Sequence, residues 1–431
     1  MKQRIAIKAQ QDRRNGFRRA QAISNWAGLL ITAALFPMRA AQADSAEPVF
    51  FWYSNIQPKA GTVVVQDKTR GLLWLLDVKA RRGHELQLPF NGGNHESALT
   101  ADGRWLATGH YETLPPGGAA LSGIPGDEVS LVDLQTGSSK VYPTVASPKP
   151  ASKSHGVLWL QDGRLAVTAE LANALVLYPP AGQWGSTHVF ELGSTGCRTP
   201  HMLRQINGSS LLFVTCRATN PGDTATTMGY LVGIDLKTGA VRAMPSGLGS
   251  EGIVITPQHE IWVGNLRENT VSIFGFNNGQ VKLDALVLRA RLAVPNPMRL
   301  AYEPTTDSVG IITNGAKAGS VNLRRFDARN HQLKASAILL SKRRGQIDPQ
   351  GLAASEGQFI TGGVNNQSLL VIDAKTLAVM GEVLLPRCPL STPTADGSCR
   401  PTMRNPYTTT PAMLDGFAWS TVIPGVANRQ N

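Results

Sequence analysis

The stretch that decides the fold is Ser250-Glu-Gly-Ile-Val-Ile-Thr256, followed after short turns by Ile261-Trp-Val-Gly-Asn265 and Asn269-Thr-Val-Ser-Ile-Phe274. Each piece is rich in β-branched and aromatic residues, and polar residues that favour turns separate the pieces. A further segment, Gln280 to Leu288, completes the unit. Because helical periodicity is missing, the pattern predicts four short strands in an antiparallel meander.

The same unit recurs about every 50 residues along the chain. Its starts share a polar or proline residue followed by a His, Glu, Met or Gln. These starts are Asn94-His95, Ser154-His155, Pro200-His201, Ser250-Glu251, Pro297-Met298 and Pro349-Gln350. A period of about 40 to 50 residues with four strands per unit is typical of a propeller. We therefore expect an all-β fold, a β-propeller of about seven four-stranded blades, with six or eight as the alternatives.

This repeat divides the chain into a leader and one domain. We expect a signal peptide at 1–43 and a single β-propeller domain at 44–431. The predicted blades lie at approximately 49–90, 94–146, 154–192, 200–245, 250–288, 297–340 and 349–386. The C-terminal tail, 387–431, contains the stretch Phe417–Val422, which could supply the strand missing from the first blade and close the ring.

The first 43 residues have the three regions of an export signal. Residues 1–22 are basic with Asp12 as the only acid, the stretch from Ile23 to Phe36 is apolar, and Ala41-Gln42-Ala43 has the small residues that signal peptidase reads. An uncleaved anchor is the alternative. We expect cleavage before Asp44 and a periplasmic or secreted protein, exported by the Sec route or, given Arg13-Arg14, by the twin-arginine route. No membrane span is expected after the leader is removed.

Charge and cysteines limit the possible partners. The formal net charge is +12, but the leader holds eight Lys and Arg residues against one acid, so the mature chain is near +5. We therefore expect no nucleic-acid partner. Four cysteines in an exported chain suggest two disulfides, Cys197–Cys216 and Cys388–Cys399. Covalent haem c is excluded because no C-x-x-C-H occurs, and no P-loop or dinucleotide fingerprint indicates a nucleotide cofactor.

One repeat resembles a known family. Val263-Gly-Asn-Leu-Arg-Glu-Asn-Thr-Val-Ser-Ile-Phe274 is similar to the strand–turn–strand core of the YVTN-type β-propellers, which include lactonase-like and surface-layer proteins. Ser250–Ile253, Pro349–Leu352 and Leu370–Thr376 resemble its other parts. The resemblance covers most of 60–386 and departs in the long loops at 112–127 and 218–228. It implies the propeller fold and says little about chemistry.

Two rings of polar residues mark a candidate site at one mouth of the channel. Equal distances from equivalent turns place His95, His155, His201 and Glu251 at one height in successive blades, with Met298 and Gln350 in the same register. A second ring, at the family's Asn position, has His110, Glu170 and Cys216 by spacing and Asn265 and Asn314 by motif. A polar channel without function is the alternative interpretation.

These residue types indicate metal or acid–base chemistry. Neutral imidazoles with a carboxylate suit a divalent metal, so His95, His155, His201 and Glu251 are candidate ligands. The same groups could transfer protons near neutral pH, which makes His155, His201 and Glu251 the candidate catalytic residues.

Two function classes are open. The first is an enzyme: the resemblance to lactonase-like propellers implies a lactonase-like hydrolase, or a lyase, acting on a small molecule. The second is a non-catalytic propeller that binds a peptide, glycan or envelope protein.

Overall fold

The computed structural model describes strands of the first predicted blade region and most of the chain between residues 94 and 384. The described residues are 52–53, 62–67, 72–77, 82–87, 94–111, 126–144, 153–183, 187–218, 227–313, 319–341, 345–347, 349, 351–362, 368–384 and 421–422. The chain divides into two units, Met1–Pro37 and Met38–Asn431, and every described residue belongs to the second. The predictions for the leader and for the Cys388–Cys399 pair lie outside the described residues.

The described chain is built of strands, with three short 3-10 helices at Gly193–Thr195, Asn277–Gly279 and Leu283–Ala285. The strands are β1 (Trp52–Tyr53), β2 (Thr62–Asp67), β3 (Leu72–Asp77), β4 (Arg82–Gln87), β5 (Asn94–Leu99), β6 (Trp105–His110), β7 (Glu128–Asp133), β8 (Ser139–Pro143), β9 (Ser154–Trp159), β10 (Leu165–Ala169), β11 (Ala174–Tyr178), β12 (His188–Glu191), β13 (Arg198–Gln205), β14 (Leu211–Ala218), β15 (Met228–Asp235), β16 (Val241–Leu248), β17 (Ser250–Ile255), β18 (Ile261–Asn265), β19 (Thr270–Phe276), β20 (Leu286–Ala293), β21 (Pro297–Glu303), β22 (Ser308–Thr313), β23 (Leu323–Asp327), β24 (Leu333–Ala337), β25 (Leu340–Ser341), β26 (Gly345–Gln346), β27 (Ala353–Ser355), β28 (Gln358–Gly362), β29 (Ser368–Asp373), β30 (Val379–Leu384) and β31 (Thr421–Val422).

The sheets are the blades of a β-propeller. Six sheets have four antiparallel strands each, and we call them blades 1 to 6: β5–β8, β9–β12, β13–β16, β17–β20, β21–β24 and β27–β30. In each blade the first strand in the chain is an edge strand, and these edge strands contact one another from blade to blade. We call them the inner strands. A small separate sheet joins β25 to β26.

A five-stranded sheet corrects the predicted blade count. Only six four-stranded blades are present among the described residues, whereas about seven were expected. The remaining sheet, which we call the closing sheet, has the order β1-β4-β3-β2-β31. Its strand β31 pairs antiparallel with β2 through Val63 and Val422, and β1 lies parallel to β4. Both additions have the same cause, since an unpaired sheet edge presents free N–H and C=O groups to a nearby strand.

The hydrophobic core lies between neighbouring sheets. Phe213 of blade 3 and Phe274 of blade 4 are fully buried in one such layer. The closing sheet packs through Trp74 against blade 6 and through Leu73 against blade 1. Each sheet therefore packs its apolar side chains against both neighbouring sheets. For this reason apolar residues can be buried on both faces of one sheet.

The start of each inner strand is irregular at the predicted ring positions. The pairing register with the second strand shifts there in five successive blades. His95, His155, His201, Glu251 and Met298 all lie within these shifts. Bulges re-aim side chains and are common next to functional sites. The predicted Cys197–Cys216 disulfide is present beside one of them.

Candidate functional site

Backbone contacts between blades fix the site residues in place. The Thr168 hydroxyl accepts a hydrogen bond from the Gly156 N–H and donates one to the His201 carbonyl oxygen, both at 2.7 Å. Thr215 donates in the same way to the Glu251 carbonyl oxygen at 3.0 Å. A Cβ atom on Gly156 would lie 2.3 Å from the His201 carbonyl oxygen, so only glycine permits this approach. One blade thus holds the site residue of the next.

Three histidine rings are stacked at the starts of blades 1, 2 and 3. The ring centroids of His95 and His155 are 4.1 Å apart, and those of His155 and His201 are 3.7 Å apart. The two pairs of planes are tilted by 47° and 42°. The exposed fractions are 8%, 1% and 1% from His95 to His201, so the stack is removed from water.

Two carboxylates hold the ring of His201 from opposite sides. Its Nδ1 lies 2.7 Å from Oε1 of Glu170, and its Nε2 lies 3.1 Å from Oε1 of Glu251. Glu170 follows the second strand of blade 2 and also approaches the Nε2 of His155 at 4.0 Å. Both carboxylates are buried. The imidazole of His201 is therefore oriented by charge-assisted hydrogen bonds.

Two arginines complete the cluster. Arg217 donates to both carboxylate oxygens of Glu251, at 2.8 and 3.1 Å, in the bidentate geometry typical of strong pairs. Arg299 of blade 5 donates to Oε1 of Glu251 at 3.3 Å and lies 3.6 Å from Oε1 of Glu96. Glu96 in turn lies 3.7 Å from Nδ1 of His95. The chain of contacts thus returns from blade 5 to blade 1.

We call this cluster the polar plug. It consists of His95, Glu96, His155, Glu170, His201, Arg217, Glu251 and Arg299. Its members come from blades 1 to 5 and all are buried except Arg217, whose side chain is 25% exposed. Since burying charged groups without partners costs several kcal/mol each, their mutual contacts are required for the fold to tolerate them.

Within the polar plug, the pKa values of neighbouring titratable groups are shifted in opposite directions. Burial raises the pKa of Glu96 to about 8, although Arg299 and Arg204 oppose the shift. Burial also acts to raise the pKa of Glu251, but Arg217, His201 and Arg299 together hold it well below its usual range. Burial, with His201 and His95 nearby, lowers the pKa of His155 well below its usual value. At neutral pH these directions favour a protonated Glu96, an ionised Glu251 and an uncharged His155.

The more exposed side of the cluster is lined by Tyr111 and Lys153. The Tyr111 ring lies 4.6 Å from that of His95 and 5.1 Å from that of His155, measured between centroids. The Lys153 ammonium nitrogen lies 4.0 Å from the centroid of the Tyr111 ring, within the range of a cation–π contact. Both residues are partly exposed, so this side of the stack faces outward.

Part of the predicted second ring lies elsewhere. His110 contacts its own blade, with Nε2 2.8 Å from the Ser130 hydroxyl and Nδ1 3.3 Å from the Glu128 carboxylate. The Asn265 amide donates to the Ser246 carbonyl oxygen and the hydroxyls of Thr270 and Ser272, as a buried structural group does. Cys216 is in the disulfide. Gln350 and Asn314 are outside the described residues.

Sequence reasoning missed Glu96, Arg217 and Arg299. Glu96 and Arg299 each directly follow a predicted ring position, and Arg217 follows Cys216 of the second ring. A regular strand would turn these neighbours to the opposite face. The register shifts bring successive residues to the same cluster instead. A charged residue next to a ring position was therefore the sequence feature that could have identified these side chains.

The donor set fits a divalent cation in part. Ligand atoms of His155, Glu170 and His201 lie within 4.8 Å of one another, as do those of His95, Glu96 and His155. Ligands of a tetrahedral zinc site are about 3.3 Å apart, a distance that small side-chain movements would reach. Glu251, a predicted ligand, belongs to neither group. The guanidiniums of Arg217 and Arg299 oppose added positive charge, which weakens the fit.

Comparison with solved structures identifies the fold class. The β-propeller domain of Cps50 (Swd1) from Myceliophteria thermophila matches with a TM-score of 0.54 and 13% identity, over 74% of this chain and 98% of that chain. Selenomethionine-substituted virginiamycin B lyase from Staphylococcus aureus matches with a TM-score of 0.50 and 13% identity, over 70% and 92%. At this identity the likeness shows a β-propeller fold and nothing about activity. No model of a known protein family and no curated protein matches the chain.

Among the described residues, no helix is both long and apolar enough to cross a membrane.

Proposed function

We propose that the protein is an enzyme that performs acid–base chemistry on a small molecule at the polar plug, as a lactonase-like hydrolase or a lyase. The observation that carries the proposal is the buried stack of His95, His155 and His201 joined to carboxylates and guanidiniums across five blades. Apolar contacts between blades suffice to hold a propeller, and a buried charged cluster adds a desolvation cost. Clusters with strongly shifted pKa values are concentrated at active sites.

The geometry suggests a role for each predicted catalytic residue. His155 is uncharged at neutral pH, so it can take a proton from an attacking water in ring opening, or from a carbon atom in elimination, and return it to the leaving oxygen. The same lowered pKa makes it a weaker base than an ordinary imidazole. His201 is oriented by Glu170 and Glu251 and would hold the neighbouring ring in position. The partly exposed Arg217 could stabilise a developing oxyanion. Glu251 keeps Arg217 and His201 in place through its paired oxygens.

A metal-assisted enzyme is the second candidate function, supported by the convergence of His155, Glu170 and His201. A divalent metal there would polarise a carbonyl group or activate a water. We place the metal-free form first, because Arg217 already lies 3.8 Å from the Glu170 carboxylate that the metal would need.

Export and family membership belong to the same proposal. A Cys197–Cys216 disulfide suits an oxidising compartment and so supports a periplasmic or secreted location. The repeat at Val263–Phe274 supports a place among the YVTN-type propellers. The closing sheet supports a seventh position in the ring, because β31 contacts the inner strands of blades 1 and 6.

The test compares His155→Ala with a matched control, His188→Ala, on an exposed outer strand. Ring opening of lactones of several ring sizes would be followed by acid release at constant pH. We expect His155→Ala to lower kcat/KM by about 100-fold or more and the control to leave it unchanged. Metal analysis of the same samples separates the two forms, since bound metal lost only in His155→Ala would favour the second.

Two results would contradict the lactonase form of the proposal. Equal turnover by wild type and His155→Ala would remove His155 from the chemistry. Absence of turnover on the whole panel would leave the lyase form and the non-catalytic alternative, a propeller that binds a peptide, glycan or envelope protein.

A further inference from the structure

A cavity of about 840 Å³ lies along the inner strands, and neither Tyr111 nor Lys153 lines it. All six blades contribute inner-strand residues to its wall. Glu96 and Arg299 line it where it meets the polar plug, and the turn residues Asp102, Gln161 and Asn207 line its other end. Cavities that hold small molecules in proteins are of about 300–1,000 Å³, so this one has the size of a ligand site.

The wall of the cavity is mainly apolar between these two ends. Val157, Ile253, Val254, Leu300 and Leu352 all line it. Such a wall favours a hydrocarbon or aromatic body over a sugar or a peptide, since those would bring many polar groups that find no partners there.

One cation in the wall is not held by a salt bridge. Arg204, on β13, lines the cavity and forms no salt bridge with any described residue, although the Glu96 carboxyl group interacts with its charge without direct contact. Its guanidinium donates one hydrogen bond, at 2.8 Å, to the carbonyl oxygen of Leu203 beside it. By contrast, Arg299 is engaged by Glu251 and Glu96, and the Asp102 carboxylate is held by Thr100 and the Arg104 N–H. Arg204 is therefore a charged group of the wall with hydrogen-bonding capacity left for a ligand.

From this combination we propose that the cavity binds a small amphipathic anion, a molecule with an apolar body and one carboxylate that pairs with Arg204. The site is distinct from the outward-facing side of the polar plug. It does not depend on the proposed enzymatic activity, because Arg204 is outside the polar plug. A planar guanidinium suits a carboxylate, which it can meet with two parallel hydrogen bonds.

The test measures binding of three probes that share a ten-carbon chain: decanoate, decanol and decyltrimethylammonium. Calorimetry on the whole mature protein would give the dissociation constants. We expect decanoate to bind at least about tenfold more tightly than decanol, because a charge-assisted hydrogen bond adds to the same apolar burial. The cation should bind most weakly.

Variants assign the preference to Arg204. Arg204→Met should lower the affinity for decanoate by about tenfold and leave that for decanol unchanged, and Arg204→Lys should restore part of the loss. Arg329→Met, an exposed arginine with a 74% accessible side chain, is the matched control. The methyl NMR signal of Met202, which lines the cavity, should shift with decanoate while that of Met244 stays in place.

Decanoate that fails to bind, or binds without moving the Met202 signal, would overturn the proposal. So would an Arg204→Met variant that binds decanoate as wild type does. Lactone turnover measured on the same variant keeps the two proposals apart, because the loss of decanoate binding alone leaves the enzyme proposal standing.

Discussion

The carboxylates of the polar plug and those of the outer turns are satisfied in different ways. In blades 1, 3, 5 and 6 an aspartate ends the third strand: Asp133, Asp235, Asp327 and Asp373. Each accepts hydrogen bonds from backbone N–H groups two or three residues further on, within its own turn. In the polar plug, Glu170 and Glu251 find their partners in other blades.

The contrast separates structural from functional polar groups in this repeat. The turn aspartates recur because four blades use the same turn, and hydrogen bonds from within the same blade lower their pKa values. The main donor is Arg104 for Asp133 and Ser210 for Asp235, both on the turn before the second strand, whereas Asp327 and Asp373 depend on donors of their own turns. The ring position at the start of the inner strand, which supplies part of the polar plug, changes residue type from blade to blade, from His to Glu to Met, while the backbone position stays the same. A position that keeps its place but varies its chemistry is not needed by the blade itself. Its chemistry therefore reflects what the assembled ring does.

The largest expected effect tests whether the polar plug is one unit. Arg299→Met should destabilise the protein by about 3–5 kcal/mol, because it leaves the ionised Glu251 buried with less compensating charge. Denaturant unfolding measures the change. Arg329→Met, whose pair with Asp307 is exposed, should cost less than about 1 kcal/mol. Equal losses in the two variants would mean that the cluster contributes no more than a surface pair.

The fold was more predictable than the site because the sequence pattern that predicts it recurs in every repeat. Turn residues and apolar alternation recur in each blade, so errors in one unit are corrected by the next. The closing sheet was harder, since nothing in the spacing of 49–90 specifies the additional strand β1. In the site, register placed His95, His155 and His201 at equal heights. It could not place Arg299, because the irregular starts of the inner strands depend on contacts between blades.

A smaller effect concerns the pH dependence of the free energy of unfolding, which should differ in sign between the buried glutamates Glu96 and Glu303. The pKa of Glu96 is raised to about 8, so the folded state holds one more proton than the unfolded state up to that pH. The free energy of unfolding should therefore fall as pH rises from about 6.5 to 8, by roughly 2 kcal/mol from this group. His155 acts in the opposite direction, because its unfolded form is still half protonated at pH 6.5, but it raises the free energy of unfolding by only about 0.4 kcal/mol over this range.

The variant Glu96→Gln should remove this slope. Glu303→Gln is the control, because Glu303 is equally buried but its pKa is lowered by hydrogen bonds from Thr306, Gly357 and Thr305, despite the opposing effect of burial. Stability from Glu303 is lost only as pH falls below its unfolded pKa of about 4.3. The free energy of unfolding measured from pH 6.5 to 8 should thus fall for Glu303→Gln and be flat or rise slightly for Glu96→Gln. A slope retained in Glu96→Gln would assign it to another group.

The smallest expected effect concerns a turn aspartate and its independence from the polar plug. Asp327 accepts hydrogen bonds from the N–H groups of Arg329 and Asn330, both at 3.0 Å, and these bonds stay within one turn. Asp327→Ala should therefore cost about 1–2 kcal/mol of stability. Combined with Arg299→Met it should be additive to within about 0.5 kcal/mol, since the two sites share no partner. Denaturant unfolding of the two single variants and the double variant measures the coupling. A coupling well above that limit would show that turn and polar plug act together, and that blades cannot be divided into structural and functional ends.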